Sequence, residues 1–143
     1  MSILETAADV TPVISWKRVI AGGLLSEVAV IAVLSVIVAI YAFVIRPGRP
    51  AADYQEIGRL AGYYAALPAA AFATFLMANW AVRTLESGLF VNAFLVGVVA
   101  TLFAAMFLFT AKPEDRPMYI ASFAARLIAG GLAGFIAQRM RGA

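Results

Sequence analysis

The sequence contains neither cysteine nor histidine. Thiol and imidazole nucleophiles, zinc sites built from these ligands, Cys-ligated iron–sulfur clusters and His-ligated haem are therefore excluded. Charged residues are also scarce, at 13% of 143 residues against about 25% in soluble domains. Hydrophobic residues make up 64%, whereas about 45–50% is usual for a soluble domain. This composition predicts an integral membrane protein, and the length allows one domain.

Catalytic motifs are missing as well. The chain has no Gly-x-Ser-x-Gly, P-loop or HExxH sequence, and its glycines at 130, 131 and 134 lie in an apolar run that no strand precedes. The net charge of +3 is spread over two membrane faces rather than gathered in a basic patch, which argues against nucleic-acid binding. We therefore predict a protein that is not an enzyme, has no cofactor or metal, and binds no nucleic acid.

Four long apolar runs occupy most of the chain. They lie at about 19–45, 57–82, 88–111 and 118–138. Each run is long enough to cross a bilayer as a helix, which takes about 20 residues at about 1.5 Å per residue, and none alternates as barrel strands do. We therefore predict an all-α, integral membrane four-helix bundle that runs up-down-up-down with short loops.

These spans are expected to form a single transmembrane domain over residues 16–143. Residues 1–15 form a leader that is interfacial or disordered. It is not a cleavable signal peptide, because the first apolar run is longer than an h-region of roughly 7–15 residues. Ser15 is a candidate N-cap of the first helix, and Pro68 predicts a kink in the second.

The balance of basic residues does not decide the orientation. Five basic residues lie on the side of the termini and five on the other side: Lys17, Arg18, Arg83, Arg139 and Arg141 against Arg46, Arg49, Arg59, Lys112 and Arg116. We favour cytoplasmic termini in a bacterial-type plasma membrane, because Lys17 and Arg18 flank the first helix and a basic tail follows the last. The alternative is dual topology.

Small residues recur every four positions on the second and third spans, and small residues mark close helix contacts in lipid. If the chain folds back about residues 85–86, four pairs face each other: Ala78–Ala93, Thr74–Gly97, Ala70–Thr101 and Ala66–Ala105. In the same register Asn79 lies opposite Asn92, so that the two amides can form a hydrogen bond. The pattern predicts a tight hairpin of the second and third helices.

The fourth span has a smooth, slightly polar stripe made of Ser122, Arg126, Gly130, Gly134 and Gln138. Such a stripe faces protein, either another helix of the same chain or a second copy. We predict a homo-oligomer, or a complex with another membrane protein, in which Gly130 and Gly134 form the contact.

Two charges lie deep inside the predicted spans, away from loops and helix ends. Glu27 is about 12 Å into the first helix, and Arg126 is about 18 Å from the same side in the fourth. Intramembrane ionisable residues are costly and indicate function. Three interpretations stay open: a structural ion pair, a polar solute path with Glu27 as a proton or cation site, and pairing of each residue with a partner chain. A cavity, if present, would be lined by Gly23, Ser35, Ser122 and Gln138.

The segment Gly22-Gly23-Leu24-Leu25-Ser26-Glu27-Val28 resembles the first helix of the small multidrug resistance transporters. That resemblance covers seven residues and implies four spans with a functional first-helix Glu. The prolyl first loop, the Arg in the fourth helix and the absence of Trp from the third depart from that family. We therefore favour a structural or accessory subunit that acts through helix association. The alternative is a small-solute or cation transporter or channel subunit that uses Glu27 with Arg126.

Overall fold

The computed structural model describes residues 12–142, and the part of the predicted leader at residues 1–11 lies outside this range. Helix α1 spans Trp16–Ile40 and continues as a π-helical turn over Tyr41–Ile45. Three further long helices follow, namely α2 (Ala51–Val82), α3 (Leu89–Leu108) and α4 (Arg116–Gly142), and a 3-10 turn (Pro113–Asp115) precedes the last. All four helices are long and apolar enough to cross a membrane, which confirms the all-α four-helix bundle.

Two helices extend further than their apolar runs. Helix α2 begins at Ala51, with Asp53 in its first turn, and α4 continues to Gly142, with Arg139 and Arg141 in its last turn. An acidic residue at a helix start and basic residues at a helix end interact favourably with the helix dipole. Polar turns therefore stay helical at the membrane boundary, where a pattern of apolar residues no longer marks them.

Successive helices run in opposite directions, so the bundle has two distinct ends. The termini end holds the start of α1 and the turn at residues 83–88, and there the Arg18 guanidinium donates to the Thr84 hydroxyl. The two-loop end holds the loops at 46–50 and 109–112. At this end the Arg46 carbonyl accepts a hydrogen bond from the Tyr54 hydroxyl at 3.0 Å.

The helices are not arranged as a simple ring in chain order. Helix α1 packs against α2 and α3, and α4 also packs against α2 and α3, with the α3–α4 interface the most extensive. Within the described part of the chain, α1 and α4 make at most marginal backbone contact. These two helices therefore lie on opposite sides of the α2–α3 hairpin.

Ala78 and Ala93 of the expected hairpin contact lie in one core cluster, but Thr74 and Gly97 face other helices. A Cβ added at Gly97 would lie 2.6 Å from the Arg126 carbonyl oxygen, so Gly97 packs against α4 instead of Thr74. Thr74 instead faces α1, where its hydroxyl lies 2.9 Å from that of Ser26. Thr101 bonds to the carbonyl of its own helix at Gly97, at 2.8 Å. Small residues permit close approach to any neighbour, so their spacing did not identify which helix approaches.

The predicted hydrogen bond between Asn79 and Asn92 is replaced by others. The Asn79 amide donates to the Phe75 carbonyl at 2.9 Å, within its own helix. Asn92 instead accepts from the Ser15 backbone amide at 2.7 Å and donates to the Val13 carbonyl at 2.9 Å. It therefore holds the segment before α1 against the bundle.

Ser15 was predicted to cap the first helix, and Pro68 to kink the second. Ser15 occupies the N-cap position of α1, but its side chain makes no capping bond among residues 12–142; its carbonyl accepts from the amides of Arg18 and Val19 at 3.0 Å. Pro68 lies inside α2, which remains helical on both sides of it.

The termini half of the bundle is closed by small and branched side chains. Seven buried residues from α2, α3 and α4 form its core cluster: Ala78, Ala81, Val82, Leu89, Ala93, Val96 and Ala133. Glycines tighten the same region, since a Cβ at Gly130 would lie 2.8 Å from the Ala93 carbonyl oxygen. Among residues 12–142, the core of this half is therefore closely packed.

Candidate functional site

A buried ion pair joins α1 to α4 near the middle of the bundle. The Arg126 Nε donates to Glu27 Oε1 at 2.7 Å, and the two residues are only 3% and 5% exposed. The helices that carry them have little backbone contact, so the pair bridges the interior of the bundle through long side chains. The structure thus brings together the two intramembrane charges that the sequence analysis paired.

Neighbouring groups hold both partners in place. One turn before Arg126, Ser122 accepts from the same guanidinium through its hydroxyl and, at 3.3 Å, through its carbonyl. Next to Glu27, the buried Ser26 shares a hydrogen bond with Thr74 of α2 at 2.9 Å. The backbone of Arg126 is itself packed closely against Gly97 of α3. One bond within α4 and two contacts between helices, α1 with α2 and α3 with α4, therefore surround the ion pair.

Each partner keeps one polar atom for a further bond. Glu27 Oε2 and Arg126 Nη2 make no hydrogen bond to any group in residues 12–142. Within that range, no fully buried side-chain nitrogen or oxygen lacks a partner. These two atoms are therefore not fully buried, and both residues line the cavity. The pair thus retains a carboxylate oxygen that can accept and a guanidinium nitrogen that can donate.

The cavity extends from this pair towards the two-loop end and has a volume of about 220 Å³. All four helices line it. Its inner end is formed by Glu27, Ser122 and Arg126, and its walls are mostly apolar and aromatic, including Val30, Leu34, Tyr63, Ala66, Ala104, Phe107 and Tyr119. The core cluster of the termini half lies beyond its inner end. The cavity therefore lies between this core cluster and the two-loop end of the bundle.

A second ion pair stands at the outer end of the cavity. The Arg59 Nη1 lies 3.1 Å from Asp115 Oδ1, and the same guanidinium contacts Glu56 at 2.8 Å. Asp115 is only 15% exposed at its side chain, whereas Glu56 is 53% exposed. This pair joins the first turns of α2 to the 3-10 turn before α4, and both of its residues line the cavity.

Arg59 and Asp115 were not predicted to belong to the site. A signal for Arg59 was present, since this charge lies inside the second apolar run, but the residue was counted only among the basic residues on the side away from the termini. Asp115 sits in a polar turn next to Glu114, where solvation is the ordinary expectation. Only the packing of α4 beside α2 brings Asp115 to the cavity.

The residues predicted to line a cavity are divided by the structure. Ser122 lies at the inner end of the pocket. Gly23 is packed tightly against Val99 and Ala100 of α3 instead, and Ser35 lies on the exposed outer surface of α1. Gln138 lies near the termini end, beside Phe135 and Arg139. Residues spaced four apart drift around a straight helix, so a stripe that starts at the cavity does not stay on it.

The stripe on α4 is used within the chain. Cβ atoms at Gly130 and Gly134 would meet the α3 backbone at Ala93 and Phe90, at 2.8 Å and 2.7 Å. Gly130 and Gly134 are therefore covered by α3 and offer no surface to a second copy. This corrects the expectation that they form an intermolecular contact.

Comparisons with models of protein families, with curated proteins and with solved structures gave no match for this chain. The seven-residue resemblance around Glu27 thus gains no support from them. Among residues 12–142, no group of three or more acidic side chains is placed to hold a metal ion. The geometry of the cavity is therefore the evidence for its function.

Proposed function

We propose that this chain is a multi-pass membrane protein that binds a small solute, of transporter or channel-subunit type. The observation that carries the proposal is the cavity of about 220 Å³ that ends on the buried pair of Glu27 and Arg126. A pocket with mostly apolar walls and a few convergent polar groups is the usual form of a ligand site. In this role both side chains contact the solute.

The depth of the pair supports this assignment. Intramembrane charges are expensive and mark solute or ion pathways, and substrate sites of many transporters lie near the bilayer midplane. One open end and one closed end suit a protein that exposes its site to one side at a time. Passage to the other side would require the core cluster around Ala78 and Ala93 to separate.

The location and orientation are a further part of the proposal. We place the chain in a bacterial-type plasma membrane with both termini in the cytoplasm, so the cavity opens to the opposite side. Described acidic residues at the two-loop end accompany its basic ones, as in the contacts of Arg49 with Asp53 and of Arg59 with Asp115. We propose no catalytic activity for this chain.

Access of water to the cavity tests the proposal. The chain has no native cysteine, so a single one can be placed on the wall as Ala66→Cys. In vesicles, a small charged methanethiosulfonate should modify it from the two-loop side and not from the other. The matched control is Ala78→Cys on the same helix, which is 0% exposed and should react only after denaturation.

A denatured Ala66→Cys sample that reacts, beside a native sample that does not, would contradict the proposal, because a dry cavity cannot receive a solute from water. Equal reaction of Ala66→Cys and Ala78→Cys would contradict it too, since the bundle would then be open throughout.

The second candidate is a structural or accessory subunit. One observation favours it: α1 presents much of its surface outward, with Ser35 and Val36 exposed. A partner helix would therefore cover α1 and leave the internal α3–α4 contact unchanged. A dry result at Ala66→Cys would favour this second role.

A further inference from the structure

The charges around the cavity balance, and this bears on the kind of solute. The inner end carries one carboxylate and one guanidinium, and the outer pair of Arg59 and Asp115 adds one of each. Resting on the proposed function, we infer that the solute is uncharged. Its polar head is a hydroxyl or primary amide that both donates and accepts, attached to a small apolar body.

A cationic solute does not fit the pair. Arg126 keeps its proton at any physiological pH, and it already neutralises Glu27 across 2.7 Å. A cation bound at Glu27 Oε2 would place a second positive charge beside the Arg126 guanidinium, with one carboxylate to balance both. An unbalanced charge in a buried site is strongly unfavourable. An anion would likewise add a second negative charge beside Glu27, with one guanidinium to balance both.

The two cavity-facing atoms match an uncharged polar head. Glu27 Oε2 can only accept a hydrogen bond and Arg126 Nη2 can only donate one. A single hydroxyl, or one primary amide, can donate to the first and accept from the second. Its hydrogen bonds to charged groups are stronger than bonds between neutral groups. The pair therefore stays intact while it holds the solute.

The walls and the volume define the rest of the molecule. Aliphatic and aromatic side chains such as Val30, Leu34 and Phe107 face the space beyond the polar end. A dry apolar cavity of about 150 Å³ is large enough for benzene. The present volume of about 220 Å³ accommodates a chain or ring of somewhat greater size. It is too small for a lipid with two acyl chains.

Photolabelling of the full chain in liposomes tests this inference. The probes are three six-carbon diazirines of equal length: an alcohol, a primary amine and an alkane. Mass spectrometry should find the alcohol on residues 27–34 or 118–126, and an excess of hexanol should reduce this labelling at least tenfold. The amine and the alkane should label lipid-facing positions, without competition by hexanol.

Two glycines of α2 provide matched variants. Gly62 lines the cavity, and a Cβ there would meet nothing within 4 Å, so Gly62→Leu should fold and fill the space. Gly58 is one turn away and outside the lining, and a Cβ there meets only a Val38 methyl at 3.7 Å. Gly62→Leu should lower labelling by the alcohol at least tenfold, whereas Gly58→Leu should leave it unchanged.

The opposite outcomes separate this inference from the proposed function. Saturable labelling by the amine in preference to the alcohol would overturn the assignment to an uncharged solute and leave a solute site in place. Absence of saturable labelling by any probe, with Ala66→Cys reactive, would also overturn the solute class alone. Absence of saturable labelling together with an unreactive Ala66→Cys would overturn both the solute class and the proposed function.

Discussion

Glu27 and Arg126 are the residues on which the interior of this bundle depends. Each would be costly in the membrane alone, and the structure compensates each with the other at 2.7 Å. The serine one turn before Arg126 and the glycine opposite its backbone complete the arrangement. A large part of this site was predictable: the sequence contains only these two deep charges of opposite sign, and Arg126 cannot lose its proton.

Removal of one partner should destabilise the protein far more than removal of both. We expect Glu27→Ala to lower the free energy of unfolding by about 3–5 kcal/mol, because Arg126 stays charged and buried. Glu27→Ala combined with Arg126→Leu should recover most of that loss. The measurement is unfolding in mixed micelles with increasing SDS, arranged as a double-mutant cycle.

Glu86 offers the control for this cycle, since it is exposed at the α2–α3 turn. Glu86→Ala should change the free energy of unfolding by no more than about 0.5 kcal/mol. Additive effects of the Glu27 and Arg126 substitutions would show that the ion pair is not formed in the membrane.

At the scale of helices, glycine decides how close α3 and α4 approach. Gly97, Gly130 and Gly134 each lie where a Cβ would press into the backbone of the other helix. The sequence indicated that this face of α4 contacts protein. It did not indicate whether the contact lies within the chain or with a second copy, because a smooth helix face is equally suited to both.

Adjacent glycines of α4 should respond differently to the same substitution. A Cβ at Gly130 would lie 2.8 Å from the Ala93 carbonyl oxygen, whereas at Gly131 it would meet only a Phe94 ring carbon at 3.8 Å. We expect Gly130→Ala to cost about 1–3 kcal/mol through overpacking. Gly131→Ala should be neutral or stabilising by up to about 1 kcal/mol, since alanine is the better helix former.

Thermal unfolding in detergent, followed by circular dichroism, measures both variants. Equal unfolding temperatures for Gly130→Ala and Gly131→Ala would mean that α3 and α4 do not meet at Gly130. A change in the oligomer size of Gly130→Ala without loss of stability would instead show that Gly130 forms an intermolecular contact.

At the scale of the whole molecule, the order of packing differs from the order of the chain. Helices α1 and α4 lie on opposite sides of the α2–α3 hairpin and meet through side chains at the ion pair. The pocket towards the two-loop end exists because all four helices line it, while the termini half is closed by small residues. The pattern of apolar runs does not predict which half is closely packed and which half holds the cavity.

The bundle predicts opposite accessibility for its two ends. Ser87 lies at the turn of the termini end and Thr110 at the two-loop end, and both are exposed. In intact and inverted vesicles, an impermeant maleimide should label Ser87→Cys from one face only and Thr110→Cys from the other only. With the proposed orientation, Ser87→Cys reacts from the cytoplasmic face.

Labelling of both positions from the same face would rule out the four-span topology. Labelling of each position from both faces, in comparable fractions of the molecules, would demonstrate dual topology in place of a single orientation.

The sequence by itself determined the number of spans and their helical nature. Length and hydrophobicity suffice for both, because a chain in lipid must satisfy its backbone hydrogen bonds locally. The high cost of an unpaired buried charge favoured the pairing of Glu27 with Arg126 but left a partner chain as an alternative for each. Only the tertiary structure decided which helices touch, where Asp115 and Arg59 meet, and that a cavity remains. Small side chains allow many packings of similar quality, so the choice among them depends on the whole bundle.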